Sequence, residues 1–99
     1  MRFLISQKEQ LQEIINHYGA NHQKDKLFEE MAELQKEACK EKDGKGNIQH
    51  IAEGLADVYI VLQQMQLIYG ITDEQIEQVV QEKIERTLDR IEGECDESK

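Results

Sequence analysis

The chain has no proline and no tryptophan, and aromatic residues make up only 5% of its 99 positions. Apolar residues reach 38%, which is thin for a monomer of this size, because small domains bury a modest share of their surface. Two cysteines, Cys39 and Cys95, are too few for a disulfide framework. Long apolar runs are missing as well. The longest spans 58–62, whereas a bilayer-spanning helix takes roughly 20 residues. The opening Met1-Arg2-Phe3-Leu4-Ile5 has one positive charge but too short an apolar stretch for a signal peptide. Basic residues are scarce: 12 Lys and Arg stand against 21 Asp and Glu, a formal net charge of −9. A general nucleic-acid binder needs the opposite balance to neutralise phosphates. These absences predict one cytoplasmic domain with neither a membrane nor a nucleic acid as its partner.

With proline absent, glycine supplies the punctuation. Gly19, the Gly44–Gly46 pair and Gly70 divide the chain into four helical segments, and Gly93 opens the tail. The first, about 6–18, carries Leu11, Ile14, Ile15 and Tyr18 on one stripe, and Ser6 with Glu9 forms a capping-box pattern. The second, about 21–42, repeats Leu27, Phe28, Met31, Leu34, Ala38 and Cys39 at three- and four-residue steps. The third, about 47–69, aligns Ile48, Ile51, Leu55, Val58, Leu62, Met65 and Tyr69. The fourth opens with Thr72 as N-cap and Asp73 and Glu74 in its first turn, then carries Ile76, Val79, Val80, Ile84, Leu88 and Ile91. No strand alternation and no internal repeat is present. The expectation is an all-α single domain over 1–99, four-helix bundle-like, with a core at about 7–92 and a frayed acidic tail at 93–99. From position 58 to 69 the third helix is apolar all round, adding Val61, Leu67 and Ile68 to its stripe. A helix of that kind must be buried all round, and four short helices supply few neighbours. A second copy of the chain is the expected cover.

The chemistry has to come from the acids. Glu30, Glu33 and Glu37 share one face of the second helix, bordering its apolar stripe. Carboxylates so placed can converge on a divalent ion, and Mg²⁺ takes hard oxygen ligands while keeping several waters; the alternative is a solvated acidic face. On the third helix His50, Glu53 and Asp57 follow at three- and four-residue steps. Asp57 enters the most apolar stretch of the chain, and a buried carboxylate needs a cation, a metal or donors; the alternative is a wet Asp on the rim. On the fourth, Lys83, Arg86 and Arg90 run beside Val79, Val80 and Ile84. Such a row suits phosphate oxygens, or it pairs with Glu82, Glu85 and Asp89 on the same helix.

Three segments together resemble a family: Gln23 followed by Lys26-Leu27-Phe28-Glu29-Glu30-Met31-Ala32-Glu33-Leu34, then Glu53-Gly54-Leu55-Ala56-Asp57-Val58, then Glu82-Lys83-Ile84-Glu85-Arg86. They look like the MazG-like members of the all-α nucleoside triphosphate pyrophosphatases, in the small single-domain form of phages and bacteria. The resemblance covers about residues 7 to 92 and follows the family pattern of EExxE, a loop, then ExxD. It implies an all-α bundle completed by oligomerisation, as a homodimer or homotetramer. It also implies Mg²⁺, with Mn²⁺ as an alternative, and hydrolysis of a (deoxy)nucleoside triphosphate to monophosphate and pyrophosphate. By position, Glu30, Glu33 and Asp57 would be catalytic metal ligands, Lys83 and Arg86 would meet the phosphates, and Gln23 would lie near the nucleotide. One departure stands out. The Glu of ExxD falls on position 54, which is Gly, and Glu53 lies about 100° away around the helix. Either Glu53 joins Glu30, Glu33 and Asp57 as a metal ligand, or the chain is a degenerate, non-catalytic nucleotide- or protein-binding oligomer. A plain helical oligomerisation module, its acids all in solvent, is the third reading.

Overall fold

A computed structural model describes residues 5–97, which form four helices: α1 (Ile5–Tyr18), α2 (Ala20–Lys42), α3 (Ile48–Tyr69) and α4 (Asp73–Glu97). Among the described residues there is no strand, so the all-α expectation holds. The boundaries follow local chemistry. Gly19 adopts φ +96°, a left-handed value open to glycine, and this single residue turns α1 into α2. Asn47 caps α3, its Oδ1 accepting from the amides of Gln49 at 2.7 Å and His50 at 3.4 Å. Gly70, at φ 66°, ends α3, and the Ile71 amide turns back to the Gln66 carbonyl at 2.9 Å. Thr72 caps α4 as expected. Its hydroxyl accepts from the Gln75 amide at 3.1 Å, while the Gln75 side chain accepts from the Thr72 amide at 2.8 Å, a reciprocal capping box. The Ser6–Glu9 capping box expected on α1 lies outside the described side chains. α4 continues through Gly93 to Glu97, beyond the point at which fraying was expected; no proline stands there to stop it.

α2 and α3 form the main antiparallel pair, and α1 lies across one end of them. At their point of close approach stands Gly54, buried against Leu34. A Cβ at position 54 would sit 3.2 Å from Leu34 Cδ1 and 3.5 Å from Leu34 Cα, so the glycine is what lets the two helices close there. The interior is small and partly polar. Leu11, Ile15 and Val61 are buried, and so are Gln23, Gln63 and Gln64. Gln64, wholly inaccessible, accepts from Gln23 Nε2 at 2.8 Å and donates to the Leu11 carbonyl at 3.5 Å, tying the three helices together through amides. Buried polar groups stay cheap only when satisfied in this way.

The apolar stripes mostly do not reach this interior. Phe28 and Met31 on α2 and Leu55, Tyr59, Leu62 and Tyr69 on α3 are exposed. α4 packs little on the other helices: Ile76, Val79, Val80, Ile84, Leu88 and Ile91 leave 40–58% of their surface open. The radius of gyration is 17.3 Å, against about 13 Å for a compact chain of this length. A clasp holds α4 at its root. The Asp73 carboxylate accepts from Lys8 Nζ of α1 at 2.7 Å and from Gln66 Nε2 of α3 at 3.1 Å. No helix, among the described residues, is long and apolar enough to cross a membrane.

Candidate functional site

The helical spacing of the acids does bring them together. Glu30, Glu33 and Glu37 from α2 and His50, Glu53 and Asp57 from α3 line one open depression of about 280 Å³, with Gly54 at its base. Position 54 borders both the groove and the α2–α3 seam, where a Cβ would press on Leu34 Cδ1 at 3.2 Å, and Glu53 lines the groove beside it. All four carboxylates expected as metal ligands therefore border the same space. They do not form a finished metal centre: among the described residues, no three His, Cys, Asp or Glu side chains are grouped so as to hold an ion. Glu37 is already engaged, lying 3.5 Å from Lys40 Nζ and 3.6 Å from His50 Nδ1. Glu53 accepts a long contact, 3.5 Å, from Gln49 Nε2.

Asp57 corrects the expectation of a buried carboxylate with a compensating cation. It is exposed, and its close neighbour is another acid, Glu30. The two carboxyls are near enough to hydrogen-bond when one is protonated. Partial burial, and then the charge of Asp57, hold the Glu30 carboxyl above its ordinary value of 4.5, against the opposing pull of Lys26. An exposed position on the groove rim costs Asp57 little, which removes the need for a built-in partner.

A second cavity of about 390 Å³ continues from the first and shares Glu30 and Asp57 with it. Its character is different. Ile14, Ile60 and Val61 give it apolar walls, and Tyr18 and His22 close one side with rings stacked at 4.8 Å and 17°. Gln23 and Gln64 lie at its floor and Lys26 at its mouth. Gln23 thus borders the cavity as expected for a residue near a ligand, but its amide is committed to Gln64 and to His22 Nδ1, the latter at 2.8 Å. Lys26 pairs with Glu29 at 3.1 Å, which holds its ammonium above the usual range. The sequence reading placed Tyr18 only on the apolar stripe of α1 and did not pair it with His22, because the turn at Gly19 breaks the helical phase between them. Lys26 was within the quoted motif, though no spacing rule assigned it a role.

Lys83 and Arg86 stand apart from the acids within one chain. Both lie on α4, line neither cavity and make no salt bridge with any described residue, Glu82, Glu85 and Asp89 included. The physical reason is the projection of α4 away from the α1–α3 body. Compared with known protein families, with curated proteins and with solved structures, the chain gives no match.

Proposed function

We propose that the chain is a Mg²⁺-dependent nucleoside triphosphate pyrophosphohydrolase of MazG-like type, working as a homo-oligomer. The observation that carries this reading is the Glu30–Asp57 pair. It joins an acidic groove to a cavity with apolar walls and a stacked ring pair. A nucleoside triphosphate has the same two-part character, a polyanion needing a divalent ion and a flat heterocycle needing apolar contact. The donors suit the metal: Glu30, Glu33, Glu53 and Asp57 offer only hard oxygens, and Mg²⁺ asks for one or two carboxylates while retaining waters, which an open groove allows. When bound, the ion neutralises charge on the polyphosphate and lowers the barrier to attack at phosphorus.

In the overall reaction water adds at the α-phosphorus, the bond to the β-phosphate oxygen breaks, and monophosphate and pyrophosphate leave. Glu30 borders both the groove and the cavity, so it would be placed to take the proton of the attacking water. Asp57 and Glu33 would hold the metal with it, and Glu53 would stand in for the acid that Gly54 replaces. Lys26 and Gln23 border the cavity toward the nucleoside. Self-association is supported by the uncovered apolar face of α2–α3 and by the bare stripe of α4, since contiguous apolar patches mark interaction surfaces.

The test is pyrophosphate release across a panel of nucleoside triphosphates with Mg²⁺ and with Mn²⁺. Turnover that depends on the metal supports the hydrolase. Metal-dependent nucleotide binding without release favours a degenerate binder, the reading to which Gly54 and the ungrouped acids point. Absence of binding reduces the chain to a helical oligomerisation module.

A further inference from the structure

A chain of hydrogen bonds with a fixed direction runs from the interior out to the second cavity. Its inner end is the Leu11 carbonyl, which can only accept. Gln64, wholly inaccessible, therefore turns its Nε2 toward that carbonyl, 3.5 Å away, and leaves Oε1 to accept from Gln23 Nε2 at 2.8 Å. Gln23, buried as well, has then committed its donor end inward, and its Oε1 meets His22 Nδ1 at 2.8 Å. An amide oxygen accepts, so Nδ1 is the nitrogen that carries the proton. In a neutral imidazole one nitrogen donates and the other accepts, and the bond made at one fixes the role of the other. Nε2 is left as a bare acceptor on a side chain that lines the cavity.

The ring is also held in place. Tyr18 stacks on it, centroids 4.8 Å apart and planes 17° from parallel, and His17 meets the Tyr18 ring edge-on at 4.6 Å. A third ring cannot slip between Tyr18 and His22, because each stacked contact takes about 3.5 Å. The apolar surfaces left for the faces of a flat ligand are Ile14, Ile60 and Val61.

We infer that His22 is a specificity-determining residue: its Nε2 accepts a hydrogen bond from an N–H on the edge of the bound heterocycle, whose faces lie against Ile14, Ile60 and Val61. The preferred occupant is then a base that carries an N–H donor, and a base with every such hydrogen replaced by methyl is disfavoured. This rests on the reading of the cavity as the place of the nucleoside; the tautomer of His22 does not. His22 is exposed, so water competes for Nε2, and the donor should be worth about fivefold in affinity, the net effect of one ordinary hydrogen bond.

Wild-type protein labelled with ¹⁵N tests both halves. Long-range ¹H–¹⁵N spectra in alkaline buffer, assigned by the signals lost in His22→Phe, report which ring nitrogen of His22 bears the proton. A protonated Nδ1 and a bare Nε2 are expected. A protonated Nε2 overturns the inference whatever the protein hydrolyses. Non-hydrolysable α,β-imido triphosphates of the four nucleosides are then added with Mg²⁺, each beside its methylated form without a base N–H. At least one parent nucleotide should shift the Nε2 resonance and bind about fivefold tighter than its methylated form. The preference should shrink in His22→Phe, which keeps a ring for Tyr18 to stack on but has no acceptor. Nucleotide binding that leaves Nε2 unmoved, or a preference equal in His22→Phe, overturns the inference and spares the nucleotide site. If calorimetry finds no nucleotide bound at all, the nucleotide site falls and the inference falls with it, even with Nδ1 protonated.

Discussion

Gly54 is where the packing of α2 on α3 and the make-up of the groove meet, so its substitution is the most informative perturbation. Replacing a mid-helix glycine by alanine gains about 1 kcal/mol of helix propensity. Against this, the new Cβ would lie 3.2 Å from Leu34 Cδ1 and 3.5 Å from Leu34 Cα. The second distance is ordinary contact, and the first asks a methyl group to move by a few tenths of an ångström. Gly54→Ala should therefore fall short of the full propensity gain. In a Leu34→Ala background the obstructing methyl is gone and the gain should appear whole. A cycle of the two substitutions should show coupling of about 0.5–1 kcal/mol, within the range for residues in contact. Gly54→Glu adds atoms beyond Cβ in the same seam and should destabilise by about 1–3 kcal/mol, as overpacking does. For a domain of this length that lowers Tm by roughly 4–8 °C per kcal/mol. The assay is thermal and urea unfolding at one fixed protein concentration, since oligomers melt according to concentration, with and without Mg²⁺. Equal effects of Gly54→Ala in both Leu34 backgrounds would refute the packing argument. So would a Gly54→Glu variant that melts higher and binds Mg²⁺ more tightly, because the added side chain would then have passed Leu34 into the groove without strain.

Three further perturbations address the acids and the root of α4. Glu33→Gln should weaken Mg²⁺ binding measured by titration calorimetry while leaving helicity unchanged, since an exposed acid contributes little to stability; unaltered metal affinity would return Glu33 to a solvated face. The Glu30 carboxyl is held above 4.5, so the folded chain binds its proton more readily than the unfolded one, and stability falls as pH rises from 4.5 through the raised value. Glu30→Gln should therefore be more stable than wild type near neutrality, with the gap closing below 4.5 in urea melts; a gap independent of pH would contradict the Glu30–Asp57 proximity. Asp73→Asn removes the charged partner of Lys8 at 2.7 Å, in a pair whose Asp side chain is 10% exposed and whose Lys is 35% exposed, and should cost about 1 kcal/mol after allowance for solvent. Spin labels on the exposed Cys39 of α2 and Cys95 of α4, diluted with unlabelled chains, should report a broadened distance distribution in that variant. An unchanged distribution would mean that the clasp does not orient α4.

How legible the fold was depended on whether the controlling interaction is local. The helix limits rest on Gly19, Asn47, Gly70 and the Thr72–Gln75 pair, each acting within a few residues of itself, and the four helices were accordingly readable. The acidic groove was readable for a similar reason: a three- and four-residue spacing keeps Glu30 with Glu33 and Glu53 with Asp57 whatever else the chain does. What the sequence pattern could not carry was the phase of one helix against another. The stripe of α2 suggested that Phe28 and Met31 face the core, yet the core side of the pair is set by the approach of Leu34 to Gly54 and by the amides of Gln23 and Gln64. Glutamine in a helix reads as surface from composition alone; its burial becomes visible only once a second glutamine, 41 residues away, is beside it.

The direction of α4 marks the same boundary more sharply. An amphipathic stripe states that a helix has a covered side and is silent on which chain covers it. Lys83 and Arg86 were read beside the acids together with the expectation that a second copy covers the stripe, and helical periodicity gives no position for that copy. The Lys8–Asp73–Gln66 contacts hold the root of α4, and within one chain Lys83 and Arg86 line neither the acidic groove nor the cavity beside it.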